Sequence, residues 1–188
     1  DYHHASPLVQ HLSNLGFQAI KIIRVNSQGG SIRLLFKKSK NNYISQNVKA
    51  FIEKEKKSYL YDNNFIDIWL NNIKIQLNKI RSELVEKRKK GFQMIAYGAP
   101  TKATLLLKLS RLNNNHIDYI VEDNTLKIGK FLPNGIPIKS LNYIDKNEKI
   151  VVLILAWNFS NDIINKLKLN NINADVIVPL PSLRKVNI

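Results

Sequence analysis

The 188-residue sequence contains no cysteine. A disulfide framework and a cysteine-ligated zinc site are therefore excluded within it. It does not open on methionine, and Asp1-Tyr2-His3-His4 is not a signal peptide. The expectation is a chain that begins inside a longer protein. No apolar run approaches the ~20 residues of a membrane span, so no membrane partner is expected and a cytoplasmic setting is the default. The four histidines include the adjacent pair His3 and His4, a spacing that suits a shared metal on neither helix nor strand, and no metal site is expected. Acidic residues are few: 14 against 29 basic ones, for a formal net charge of +15. Such a surplus can mark a nucleic-acid binder. Here the lysines are spread along the chain among abundant Asn and Ile, which reads as a composition bias, and nucleic acid is not an expected partner. A polyanionic small substrate would be served by either. Neither G-x-G-x-x-G nor a Walker A pattern occurs, and there is no internal repeat.

Hydrophobic residues make up 44%, enough for a packed core. Ser6 is read as the cap of a short helix with Pro7 at its first position and Gly16 at its end. Phe17–Val25 and Ser31–Phe36 read as two strands of a hairpin across Gln28-Gly29-Gly30. Lys37–Asn42 is a polar breaker. Ser45–Tyr59 reads as a helix, and a longer one is predicted from Asn63 to Lys90. Its apolar positions Ile66, Trp69, Ile73, Leu77, Ile80 and Leu84 share one face. Gly91 is its natural end, and Lys87–Lys90 reads as a solvated helix terminus suited to the dipole. From Phe92 strands alternate with helices: strand Phe92–Tyr97, helix Thr101–Leu112, strand Ile117–Val121, strand Lys149–Leu155, helix Ser160–Leu169 and strand Asp175–Val178. The run Ile150–Leu155 suggests a strand buried on both faces. The fold class is α/β, a Rossmann-like doubly wound parallel sheet.

Five segments could carry chemistry. Tyr97-Gly98-Ala99-Pro100-Thr101-Lys102 is a strand–turn–helix whose free N–H groups, with Lys102 and Thr101, suit a phosphate. An ordinary βα turn is the equal alternative. Glu122 lies 24 residues after Gly98, where dinucleotide folds keep an acid for ribose hydroxyls. The Lys127–Ile138 loop carries Lys127 and Lys130 at the carboxyl end of a strand. Trp157 can stack on a base or sugar, and Asn158 can donate and accept. By itself, Trp157 reads more simply as a core residue. Tyr2-His3-His4 offers a general base in histidine, but by residue type alone it reads more simply as loop residues or substrate hydrogen-bond donors.

Together, Tyr97–Lys102, Val121–Asn124, Lys127–Lys130 with Pro133 and Gly135–Ile138, and Leu153–Asn158 resemble the C-terminal domain of SAM-dependent C-methyltransferases acting on nucleotide-linked deoxysugars. Gln28–Arg33 resembles the last hairpin of that family's SAM domain. The resemblance implies a small zinc-binding N-terminal domain, a central domain that binds S-adenosyl-L-methionine, and this Rossmann-like domain, which takes the nucleotide-diphosphate sugar without NAD. Residues 1–40 would be the remnant of the methyltransferase domain, 41–91 a helical connector and 92–188 the sugar-nucleotide domain. S-adenosyl-L-methionine would bind mainly upstream, and zinc only in the N-terminal domain. With no SAM-binding glycine motif, this chain alone is expected to be inactive. The implied reaction removes a proton next to the keto group of a dTDP 4-keto sugar, and the enolate takes the methyl group. The family's base is a His after a Glu with a Tyr just upstream. His4 matches that base, His3 stands where the Glu would be, and Tyr2 lies one residue too close. Glu122 stands for an Asp and Ala156 for a Pro. Substrate contacts are implied for Gly98, Ala99, Pro100, Thr101, Lys102, Glu122, Lys130, Trp157 and Asn158. The competing expectation is a non-catalytic nucleotide- or phosphate-binding module.

Overall fold

The computed structural model describes residues 3–27, 30–39, 43–58 and 62–188. The chain divides into two compact units, residues 1–68 and 69–188.

In the first unit, α1 (Ala5–Asn14) leads through Gly16 into the antiparallel pair β1 (Phe17–Val25) and β2 (Ser31–Lys38). The hairpin is as expected, although Gln28 and Gly29 of its turn lie outside the described residues. α2 (Gln46–Lys56) follows, with the Ser45 hydroxyl accepting the Val48 N–H. Ala5, Val9, Ala19, Ile22 and Val48 are buried together between the helices and the hairpin. One boundary is corrected. His4, not Ser6, is the N-cap of α1, and the helix starts at Ala5. The reason is tertiary. The Glu55 carboxylate of α2 accepts the Ala5 N–H at 2.9 and 3.0 Å and the Ser6 N–H at 3.2 Å. It supplies the acceptor that a local cap would otherwise provide.

In the second unit, α3 (Asn63–Lys89), of which residues from Trp69 belong here, precedes β3 (Gln93–Tyr97), α4 (Thr101–Leu109) and β4 (Tyr119–Val121). After them come β5 (Ile138–Lys139), β6 (Ile150–Ile154), α5 (Ser160–Leu169), β7 (Ala174–Val178) and β8 (Arg184–Asn187). The sheet order is β5-β4-β3-β6-β7-β8. All neighbours are parallel except the β7–β8 pair. This is the Rossmann-like α/β arrangement expected, with an antiparallel edge strand that the sequence did not announce.

The alternation of strand side chains builds two cores. Met94 and Ala96 of β3, with Val151 and Leu153 of β6, pack with Leu77, Ile80 and Leu84 of α3 and Ala103, Leu106 and Leu107 of α4. Ile95, Tyr97, Val152 and Ile154 face the other way, onto Ile163, Ile164 and Leu167 of α5. Every residue of β6 is buried, which explains its unbroken apolar run. Each such side chain contributes ~1.5–3 kcal/mol by leaving water.

Three helix ends share one device. At α3, the Phe92 N–H donates to the Lys87 carbonyl and the Gly91 N–H to the Arg88 carbonyl, with Gly91 at φ +80°. This is the Schellman arrangement. The same pairing closes α4 at Arg111 (φ 54°) with Leu112, and α5 at Asn171 (φ 53°) with Ile172. The helix read as Thr101–Leu112 therefore stops at Leu109. The basic end of α3 is also corrected. It is not simply solvated: Lys87 pairs with Asp175, and the Arg88 guanidinium donates to the Asp118 Oδ1 at 2.7 Å.

Candidate functional site

In an open parallel sheet, ligands sit where neighbouring strands send their connections in opposite directions. That point lies between β3, which crosses to β4 on one side, and β6, its neighbour on the other. Gly98 leaves β3 with φ +86°. A Cβ there would lie 2.6 Å from the Ala156 Cβ and 3.3 Å from the Ala156 N. The Leu155 and Ala156 N–H groups both donate to the Tyr97 carbonyl, at 2.8 and 3.3 Å. Two loops thus meet backbone to backbone at the switch point, and only glycine leaves room. The Gly98 N–H itself donates to the Val121 carbonyl at 2.7 Å.

Ala99 is held from both sides. Its N–H donates to Glu122 Oε2 at 2.8 Å, and its carbonyl accepts from Lys127 Nζ at 2.9 Å. Glu122 Oε1 accepts the Asp123 and Asn124 N–H groups at 3.0 and 3.1 Å. Burial pushes the Glu122 carboxyl up. The N–H bonds from Asn124, Ala99 and Asp123 and the Lys127 charge outweigh it, and the net shift is below the usual carboxylate value.

Pro100 is the N-cap of α4 and provides no side-chain cap. Thr101 and Lys102 are the first helical residues, so their N–H groups are among those that a helix start leaves without an intrahelical acceptor. Lys102 Nζ lies 4.2 Å from the centroid of the Trp157 ring. Burial lowers the Lys102 pKa. Trp157, in the single 3₁₀ turn Trp157–Phe159 after β6, is half-buried and packs against both cores. It thus packs into both cores while standing under the Lys102 ammonium at the carboxyl edge of the sheet. Asn158 beside it is exposed, as is Lys130 in the loop beyond β4.

The structure therefore brings Gly98, Ala99, Pro100, Thr101, Lys102, Glu122 and Trp157 to one edge of the sheet. Two neighbouring contributors were not singled out from sequence. Asp123 accepts the Tyr97 hydroxyl at 3.0 Å and the Lys166 ammonium at 2.6 Å. Burial, and then Asp123, raise the Tyr97 pKa. Lys127 was read only as a loop charge, and nothing in its local spacing signals the reach to Ala99. In the first unit, His3 is exposed and His4 is the half-buried N-cap of α1. Tyr2 lies outside the described residues.

An open concavity of the second unit lies elsewhere, along α3 and beside β8, with Ile75, Ser82, Glu83 and Lys185 among its lining. It is an open groove crossed by the Lys185–Glu83 ion pair of 2.5 Å, not an enclosed site. Among the described residues no group of three His, Cys, Asp or Glu could hold a metal ion. None of their helices is long and apolar enough to cross a membrane.

Two similarities to known proteins stand beside this geometry. The family model described as "C-methyltransferase C-terminal domain" matches residues 26–181. The protein C-methyltransferase NovU of Streptomyces niveus is 36% identical over 100 residues, 52% of this chain. The match spans 24% of that relative's length.

Proposed function

We propose that this chain, which belongs to the C-methyltransferase C-terminal domain family, holds a nucleotide-diphosphate 4-keto deoxysugar for methylation at the carboxyl edge of its parallel sheet. The observation that carries this reading is Lys102 fixed over the Trp157 ring beside the uncapped start of α4. A helix start supplies N–H donors and the positive end of the helix dipole. The Lys102 ammonium adds a full charge. A diphosphate matches that set, and the half-buried Trp157 ring offers apolar surface to a base or sugar ring. Thr101 adds a hydroxyl, and Lys130 and Asn158 complete the rim.

S-adenosyl-L-methionine supplies the methyl group in this reading, but the turn at Gly98 and Ala99 with Glu122 does not fit it. The Gly98 and Ala99 N–H groups are already bonded to Val121 and Glu122. Glu122, the acid that would take ribose hydroxyls, already accepts three backbone N–H groups. The donor is therefore assigned to the central domain, with residues 1–40 as its tail, 41–91 as connector and 92–188 as the substrate lobe. His4 is the assigned base for the proton next to the keto group. It borders α1, whose start is held by Glu55. Tyr2 and His3 would assist it. The chain alone transfers no methyl group.

The test is calorimetric titration of the full chain with dTDP and with S-adenosyl-L-methionine at two salt concentrations. The reading predicts saturable dTDP binding that weakens with salt, and no saturable binding of the methyl donor. Absence of dTDP binding at both salt concentrations would sink it.

A further inference from the structure

We infer that Glu122 and Lys127 are positioning residues that hold Ala99 between them and so aim the start of α4, rather than ligands of the substrate. This rests on the diphosphate reading above. Glu122 would otherwise be the ribose acceptor of a nucleotide fold. Its geometry assigns it different work. Oε2 takes the Ala99 N–H at 2.8 Å, and Oε1 takes the N–H groups of Asp123 and Asn124. The side chain is 13% exposed, and Lys127 Nζ lies 3.5 Å from Oε2. Both oxygens are turned into the protein's own backbone. From its other end the clamp closes on the Ala99 carbonyl through Lys127 at 2.9 Å.

The consequence follows from counting donors along the turn. The Gly98 N–H is bonded to Val121 and the Ala99 N–H to Glu122. Pro100 has no N–H. The first open donors are therefore those of Thr101 and Lys102, and an anion is held from residue 101 onward, not in the loop at 98 and 99. A carboxylate next to an anion site would repel its ligand. Lys127 balances that charge, which explains why the two are found together. Fixing residue 99 at both its N–H and its carbonyl determines the direction in which the next two N–H groups point, and misdirection of donors by about 1 Å is costly in affinity.

The experiment is a double-substitution cycle on the full chain, E122Q, K127M and both, read by dTDP affinity well below the melting temperature. Urea stability is measured separately. A Gln carbonyl can keep one of the two oxygen sites but turns N–H donors toward the other. Each single substitution is expected to weaken binding about tenfold, the loss that ~1.4 kcal/mol of misplacement produces. The double should lose no more than the worse single, because both act through residue 99. K127R, which keeps a donor for Ala99 and a charge for Glu122, should restore binding. Amide hydrogen exchange reads the clamp without ligand: E122Q should speed exchange at Ala99 and leave Gly98 protected. Unchanged affinity in both single variants, with K102M still weakening dTDP, would overturn the clamp and leave the diphosphate reading intact. Losses that multiply in the double variant, or that track urea stability alone, would also overturn it. Failure of the unaltered chain to bind dTDP overturns both.

Discussion

Replacing Gly98 by alanine measures how closely the β3 and β6 loops approach. Two costs add. Alanine at φ +86° occupies the left-handed region, which for an L-residue costs ~1–2 kcal/mol. Its Cβ would also meet the Ala156 Cβ at 2.6 Å, well inside the ~3.5–4.0 Å optimum for carbon pairs. Relieving such overpacking costs ~1–3 kcal/mol more. The total expected for G98A is thus ~2–5 kcal/mol. Gly129 separates the two terms. It has φ +83°, and a methyl group added there would meet nothing within 4 Å, so G129A should lose only the conformational part, ~1–2 kcal/mol. Adding A156G to G98A removes the Cβ–Cβ collision at 2.6 Å but leaves the 3.3 Å approach to the backbone N of residue 156 and the backbone strain, so the pair should show a favourable coupling of ~1–3 kcal/mol. The assay is urea unfolding followed by Trp157 fluorescence in a W69F background, which leaves Trp157 as the only indole since the chain has two. If G98A destabilises no more than G129A, or A156G recovers nothing, the loops do not meet as described.

Glu122 has a depressed folded pKa, so the unfolded chain takes up the proton first as pH falls. Its contribution to stability is whole above the ordinary 4.5 and is lost as pH drops below that through the lower folded value. Urea unfolding should therefore show a shallower acid decline for E122Q than for the unaltered chain. Burial, then Tyr143, Asp118 and Asp145, push the Tyr119 phenol from 10.0 up to about 12. The folded state holds this proton longer, so stability is fully present below pH 10.0 and falls as pH rises through about 12. A phenolate absorbance titration of Y119F should lack a component that ionises at about 12 in the unaltered chain. Substituting Glu55 by alanine leaves the first N–H groups of α1 without their acceptor. The expected cost is ~0.5–2 kcal/mol, seen as faster amide exchange throughout α1.

Much of the second unit was legible because its signals are local and strong. The run Ile150–Leu155 suggested a strand covered on both faces, as β6 is, and Gly91 marked the end of α3 where positive φ favours glycine. The end of α4 was not legible, because Arg111 takes the left-handed role with no glycine to signal it. Leu112, 3% exposed, continues the apolar pattern while already folding back as the Schellman residue. β8 escaped notice because an antiparallel edge strand of mixed exposure carries no period-2 pattern. The start of α1 was misread because its cap comes from Glu55, 50 residues away. The candidate site divides in the same way. Gly98, Lys102 and Trp157 announced themselves by residue type and place in the βα units. That Glu122 faces the backbone of Ala99, and that Lys127 grips the same residue, are consequences of how two loops pack, which spacing along the chain does not encode.

The central claim is that a nucleotide diphosphate is held at the start of α4 and against Trp157. The most direct measurement is a titration of the isotope-labelled full chain with dTDP, followed by amide and indole resonances. The account predicts saturable shifts concentrated at the Thr101 and Lys102 amides and the Trp157 indole, with Ala99 changing little because its N–H stays on Glu122. Shifts gathered instead along the α3 groove around Ile75 and Lys185, or none at Thr101 and Lys102 at saturating dTDP, would contradict it.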